Sequence, residues 1–200
     1  MHLRKSYPAM VGADVEVFSC DNNIGGTTVA NFELIEEIAA HVSAISSLLG
    51  IEITESNKDT PIRVAKMYCN ELFANRNDLN KEELDSKMKV FPSENHNPVT
   101  VEVPVNSVCE HHWLPFMGTA TVTYVPNDKI IGLSKIPRVV EYFSKKPQLQ
   151  ERLTQEIGEY LVSLIEPKYL SVRIVATHTC VSIRGAKSPC TTTTVYEFGE

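Results

Sequence analysis

The run Val99-Thr100-Val101-Glu102-Val103-Pro104-Val105 decides the fold class. Apolar residues fall at every second position, the period of a strand buried on one face. Pro104 has no N–H to give a neighbour, so it belongs at a sheet edge or strand end. Thr119–Val125 reads as a second strand. The period then lengthens. A helix begins near Ser134 with Val139, Val140 and Phe143, and a longer one begins at Pro147 with Leu149, Leu153, Ile157, Leu161 and Leu164 on one side. Pro167 closes it. Val172–Ile183 is a long strand and Thr191–Tyr196 a last one. Strands, two helices, then strands indicate an α+β domain with a mostly antiparallel sheet.

Upstream the chain is helical. Ile35, Ile38, Val42, Ile45 and Leu49 recur at helical spacing, with Asn31 as an N-cap and Gly50 as the stop. In the next helix Thr60 caps, Pro61 takes the first turn, and Ala65, Tyr68 and Leu72 form a stripe. The mixed-charge stretch over 81–89 reads as a solvated loop or helix face. The division is a loose arm over 1–30, with a short strand near 15–18, a helical segment over 31–96, and the α+β domain over 97–200.

Composition excludes several classes. Of 200 residues, 42% are hydrophobic and 22% charged, which is globular. A net charge of −6 argues against non-specific nucleic-acid binding. No apolar run is long enough to span a membrane, and Met-His-Leu-Arg-Lys-Ser-Tyr-Pro has no apolar stretch behind its basic residues. Five widely spaced cysteines make no disulfide framework. A cytoplasmic protein with reduced thiols is expected, Cys20 and Cys69 serving as core residues.

Two short motifs point to a metal. Cys109-Glu110-His111-His112 follows the valine strand, and His178-Thr179-Cys180 lies on the long strand, where residues two apart share a face. Cys109, His112 and Cys180 make a donor set suited to zinc, with a fourth position open to water, as in catalytic sites. Neighbouring His111 and His112 do not easily face one ion together, so one is a ligand and one a proton carrier. His178 is left unligated beside the metal. Cys190 as a fourth ligand would close the site and make it structural.

A basic cluster comes next. Ser134 caps a helix whose first turn carries Lys135 and Arg138, where the macrodipole disfavours cations unless an anion joins them. With Arg184, these residues are suited to a polyphosphate. The alternative is a surface helix with two solvated cations. Gln150-Glu151 opens the next helix, where Glu is common for dipole reasons alone. A Glu carboxylate there can also accept two bonds from guanine.

Taken together, Cys109-Glu110-His111-His112, Gly132-Leu133-Ser134-Lys135-Ile136, Pro147 through Thr154, His178-Thr179-Cys180 and Arg184-Gly185 resemble the GTP cyclohydrolase I family, and Thr60 through Met67 resembles its N-terminal helix. The resemblance runs from about residue 57 to 195. It implies the T-fold, an antiparallel sheet with two helices on one face. It implies zinc-dependent opening of the imidazole ring of GTP, giving formate and 7,8-dihydroneopterin triphosphate. It also implies a homodecamer of two pentameric rings with active sites between subunits. By that likeness Cys109, His112 and Cys180 bind zinc, and His111 and His178 move protons. Lys135, Arg138 and Arg184, with Arg63, hold the triphosphate. Gln150 and Glu151 read guanine, and Ser134 lies near the ribose. Two alternatives are a T-fold nitrile reductase of 7-deazaguanine metabolism, which needs a nicotinamide and no zinc, and a non-catalytic zinc-binding interaction protein.

Overall fold

A computed structural model describes residues 29–199; the expected strand over 15–18 and Cys20 lie outside them. The chain opens with α1 (Val29–Leu48) and α2 (Thr60–Met67), the latter continued by a π-helical turn over Tyr68–Leu72. Gly50, at φ 69°, ends α1 as expected: its N–H reaches the Ser47 carbonyl and the Ile51 N–H reaches that of Ser46. This paired pattern needs a left-handed residue just past the helix, which glycine supplies without strain. Asp59, not Thr60, precedes α2, so Pro61 sits one place deeper in the first turn than expected. The apolar stripe of α1 is only half used. Ile35 and Ala39 pack on Ala65 and Cys69, but Ile45 and Leu49 are exposed.

The mixed-charge stretch is a short helix, α3 (Lys81–Lys87), and β1 (Val90–Pro92) follows it. Then come β2 (Val99–Cys109), β3 (Pro115–Val125), β4 (Lys129–Ile131) and α4 (Lys135–Ser144). The two-residue β5 (Pro147–Gln148) precedes α5 (Gln150–Ile165), β6 (Tyr169–His178), the one-turn α6 (Thr179–Ser182) and β7 (Thr191–Gly199). The main sheet runs β5-β2-β3-β6-β7, antiparallel except where β5 joins β2.

One face of the sheet, carrying Val103, Val105, Phe116, Val122, Leu170 and Ile174, is covered by Val139, Val140, Leu153, Ile157 and Leu161 of α4 and α5. Residues one place along the strands, such as Glu102, Pro104 and Arg173, face outward. This is the expected T-fold layering. Leu84, Met88 and Val90 pack into the same core, and β1 pairs with β4, so α3 and β1 join the domain of the main sheet rather than α1 and α2. Pro104 pairs with Thr119 on one side only and lies on an edge, because β5 reaches only Val108 and Cys109. Gly158 lets α5 approach β7: a Cβ there would collide with the Tyr196 ring.

Three segments differ from the sequence expectations, each through a local turn. The longer helix starts at Gln150, because Pro147 and Gln148 pair with Val108 and Cys109. The long strand stops at His178, and Cys180 lies in a helical turn. Ser134 precedes α4 with helical backbone angles and makes no side-chain capping bond; the Lys135 N–H instead reaches the Gly132 carbonyl.

Candidate metal centre and active site

The site sits where β2, β6 and the start of α5 converge. Cys109 is the last residue of β2, and the chain then turns sharply. The Cys109 N–H donates to the Leu114 carbonyl, and the Trp113 N–H to the Cys109 carbonyl. Closing so tight a turn forces Trp113 to φ 52°, a strained value for a bulky residue. The Trp113 ring lies edge-on to Tyr68 and Phe73, at 5.7 and 5.5 Å between centroids. The segment after α2 thus braces the turn.

That turn brings His112 to Cys109, and α6 brings Cys180 to both. Their ligand atoms all lie within 4.8 Å of one another. Shared strand face does not place Cys180, as the sequence reading had it; the α6 turn does. Burial pushes the Cys180 thiol up, the facing Cys109 raises it further, and Arg184 opposes this. Two thiols and one imidazole facing each other are soft and borderline donors that suit zinc, and a divalent cation removes the repulsion between the thiolates. Arg184 Nη1 donates to His112 Nε2 at 2.6 Å, which puts a guanidinium at the edge of the trio.

His111 lies beside the trio and outside it, 63% exposed, its Nδ1 4.0 Å from Cys109 Sγ. His178, at the end of β6, stacks on Phe116 at 4.6 Å and is half-buried. Burial lowers its pKa, and the Glu151 carboxylate works against that. The two residues opening α5 point differently. Glu151 is exposed, whereas Gln150 is buried and bonds His178.

Sequence reasoning missed a polar clamp behind the metal turn. Arg152 Nη2 donates to Glu110 Oε2 and to the Pro147 carbonyl, and Arg152 Nε donates to Gln148 Oε1. Gln148, fully buried, donates to Glu156, which also pairs with Lys146. The Glu110 N–H reaches the Gln148 carbonyl. The signal available was the carboxylate inside Cys109-Glu110-His111-His112 and an arginine in the first turn of the helix that opens with Gln150.

The remaining candidates lie elsewhere on the chain. The Ser144 end of α4 meets β2 near the site, through Ser107 Oγ donating to the Ser144 carbonyl. Lys135 begins the same ten-residue helix, so it stands about 15 Å away along the axis. Arg138 is exposed and lines a separate cavity with Asn75 and Tyr142. Arg63 is exposed on α2 and pairs with Asp59 at 3.5 Å. Cys190 is exposed and does not join the trio. One chain therefore assembles the metal donors, His111, His178, Glu151 and Arg184, but not Ser134, Lys135 and Arg138.

Comparison with known proteins identifies the family by sequence. The family model of GTP cyclohydrolase I matches residues 38–199. GTP cyclohydrolase 1 of Erwinia tasmaniensis is 41% identical over 167 residues, covering 81% of this chain and 73% of that protein. The enzyme of Vibrio cholerae is 40% identical over 168 residues, covering 82% and 76%. Among solved structures, the apo form of an archaeosine synthase QueF-Like matches with 17% identity and a TM-score of 0.45, over 52% of this chain and 94% of that one. Matched along nearly its whole described length, with the Cys109, His112 and Cys180 donors brought together by the fold, the chain belongs to the GTP cyclohydrolase I family.

Proposed function

We propose that this chain opens the imidazole ring of GTP hydrolytically, releasing C8 as formate and leaving 7,8-dihydroneopterin triphosphate. The observation that carries the reading is the three-donor cluster with two non-ligand histidines beside it. Cys109, His112 and Cys180 would hold zinc, which when bound lowers the pKa of a water to about 7 and so supplies a nucleophile at neutral pH.

The chain's own residues then have separable tasks. His178 would give a proton to N7 of the purine, which eases loss of aromaticity as C8 is attacked. His111, exposed beside Cys109, would relay protons to the ribose oxygen as the sugar opens. Glu151 would accept from N1–H and the 2-amino group of guanine, for which its carboxylate is exposed. Arg184 would reach the triphosphate from the edge of the metal trio, joined by Lys135, Arg138 and Arg63, with Ser134 near the ribose.

The position of Lys135 supports assembly. It opens α4, a helix length from the end that meets β2, and a second copy would present it beside Arg184. The outer sides of β7 and of most of β2 carry no strand partner among the described residues, and such edges favour pairing between copies. A homodecamer of two pentameric rings in the cytoplasm is the assembly proposed. The helical segment over 31–96 would serve as an appendage to the catalytic domain over 97–200, with α3 and β1 docked on the catalytic side.

The decisive experiment incubates metal-quantified protein with GTP, oxidises the products and looks for fluorescent neopterin phosphates. Wild type should yield them and Cys180→Ser should not. Bound zinc without product would overturn the reading in favour of a structural site. Mixing Cys180→Ser with Arg138→Ala should restore part of the activity if each site is shared between chains; no restoration would place every binding residue in one chain.

A further inference from the structure

Gln150 is 1% exposed, and both ends of its amide are occupied. Nε2 donates to the carbonyls of Ile174 and Thr192, each at 3.1 Å, and lies 3.2 Å from Thr194 Oγ1. Oε1 is 2.8 Å from His178 Nε2. The two carbonyls settle which end is which. A flipped amide would set an oxygen against two carbonyl acceptors, with no hydrogen between them. Oε1 accepts only, so the hydrogen in the bond to His178 belongs to the imidazole.

We propose that Gln150 is a positioning residue that locks the His178 ring with its hydrogen on Nε2, leaving Nδ1 as the nitrogen that exchanges protons with substrate. The proposal rests on the reading of His178 as a proton carrier. It assigns Gln150 a task other than reading guanine. Successive helical residues point about 100° apart, so α5 turns Glu151 outward while Gln150 points into the sheet. To meet a base, Gln150 would abandon its bonds to β6 and β7. Phe116, stacked on His178 with 15° between the planes, holds the ring plane. A half-turn of the ring would replace Nε2–H with a carbon at Gln150 Oε1. An imidazole fixed on one nitrogen presents the other in a known direction, as orienting partners of catalytic histidines do.

The test is ¹⁵N-histidine NMR of the zinc-loaded protein, with His178 identified by its loss in His178→Gln. Steady-state kinetics with GTP accompany the spectra. In the wild type His178 should show the Nε2–H tautomer pattern. Gln150→Leu should give a mixed or reversed pattern, with kcat falling about 10- to 100-fold, as for other orienting partners, and KM for GTP within about twofold. Thr194→Ala removes one contact of Nε2 and leaves Oε1 on His178, so it should keep the wild-type pattern, and stoichiometric zinc with a wild-type far-UV spectrum in Gln150→Leu guards against a folding defect. An Nδ1–H pattern in the wild type would overturn the proposal. So would a Gln150→Leu protein with the tautomer intact and KM raised, which would make Gln150 a base-reading residue. If the wild type shows the Nε2–H pattern but forms no neopterin phosphate, the hydrolytic reading fails and the lock stands.

Discussion

The pair α1–α2 and the layer formed by the sheet with α4 and α5 solve burial differently. The helical pair buries Ile35, Ala39, Ala65 and Cys69 and leaves Phe32, Ile45, Leu48, Leu49, Ile51 and Ile53 exposed. The sheet layer surrounds Ile136, Leu153, Ile157, Leu170, Val172 and Ile174 completely. Burial of apolar area is the main source of stability, at roughly 25 cal/mol per Å². The sheet layer therefore carries the stability and the metal donors, and the helical pair depends on what it touches. Its link to the site is the Tyr68, Phe73 and Trp113 cluster, together with Asn75, whose Nδ2 donates to the Tyr142 carbonyl of α4.

This contrast can be broken most sharply at the metal donors. Cys180→Ser should lose stoichiometric zinc and at least about 100-fold in turnover, the upper end of the cost of removing even an orienting partner, while its far-UV spectrum stays near wild type. Metal analysis and the neopterin assay read both. Next comes the clamp behind the metal turn. Arg152→Ala should weaken zinc about 10- to 100-fold in chelator competition, because Glu110 is then no longer held to α5, and Arg152→Lys should recover part of the loss. Unchanged zinc affinity in Arg152→Ala would show that backbone pairing with β5 alone positions the turn.

Gly158→Ala separates propensity from packing. In an isolated helix it would gain about 1 kcal/mol, but overpacking against Tyr196 should cost about 1–3 kcal/mol. A net loss in denaturant midpoint is expected, and a gain would show that β7 moves freely. Phe73→Leu should cost about 0.5–1.5 kcal/mol in lost ring contacts and shift the fluorescence of Trp113, the only tryptophan. Hydrogen exchange should quicken in α2 more than in β6; equal quickening would make the two regions one cooperative unit. Smallest of all, Lys58→Ala should change stability by no more than about 0.5 kcal/mol, since its pair with Glu55 is exposed.

Much of the fold was legible because its signals are local. Alternating valines mark β2 whatever surrounds them, and Gly50 marks the end of α1 through its own backbone freedom. The errors fall where a short segment answers to a distant partner. Pro147 and Gln148 look like a helix start until β2 recruits them as a strand. The stretch after His178 reads as strand, yet the chain turns there to deliver Cys180. The outer half of α1 has an apolar stripe that nothing described covers.

The candidate site divides the same way. The identities of Cys109, His112, Cys180, His111 and His178 follow from residue chemistry and short spacing, and those alone mark a candidate metal site with two further histidines nearby. The three-dimensional fold decides that His112 and Arg184, 72 residues apart, are neighbours. It sets Lys135 at the opposite end of α4 from the end that meets β2, and it turns Gln150 inward onto His178 while Glu151, adjacent in sequence, faces outward. Spacing along a chain constrains only side chains within a turn or a strand pair. Which distant residues meet, and which nitrogen of His178 faces Gln150, depends on how sheet register and helix packing bury the whole apolar face at once.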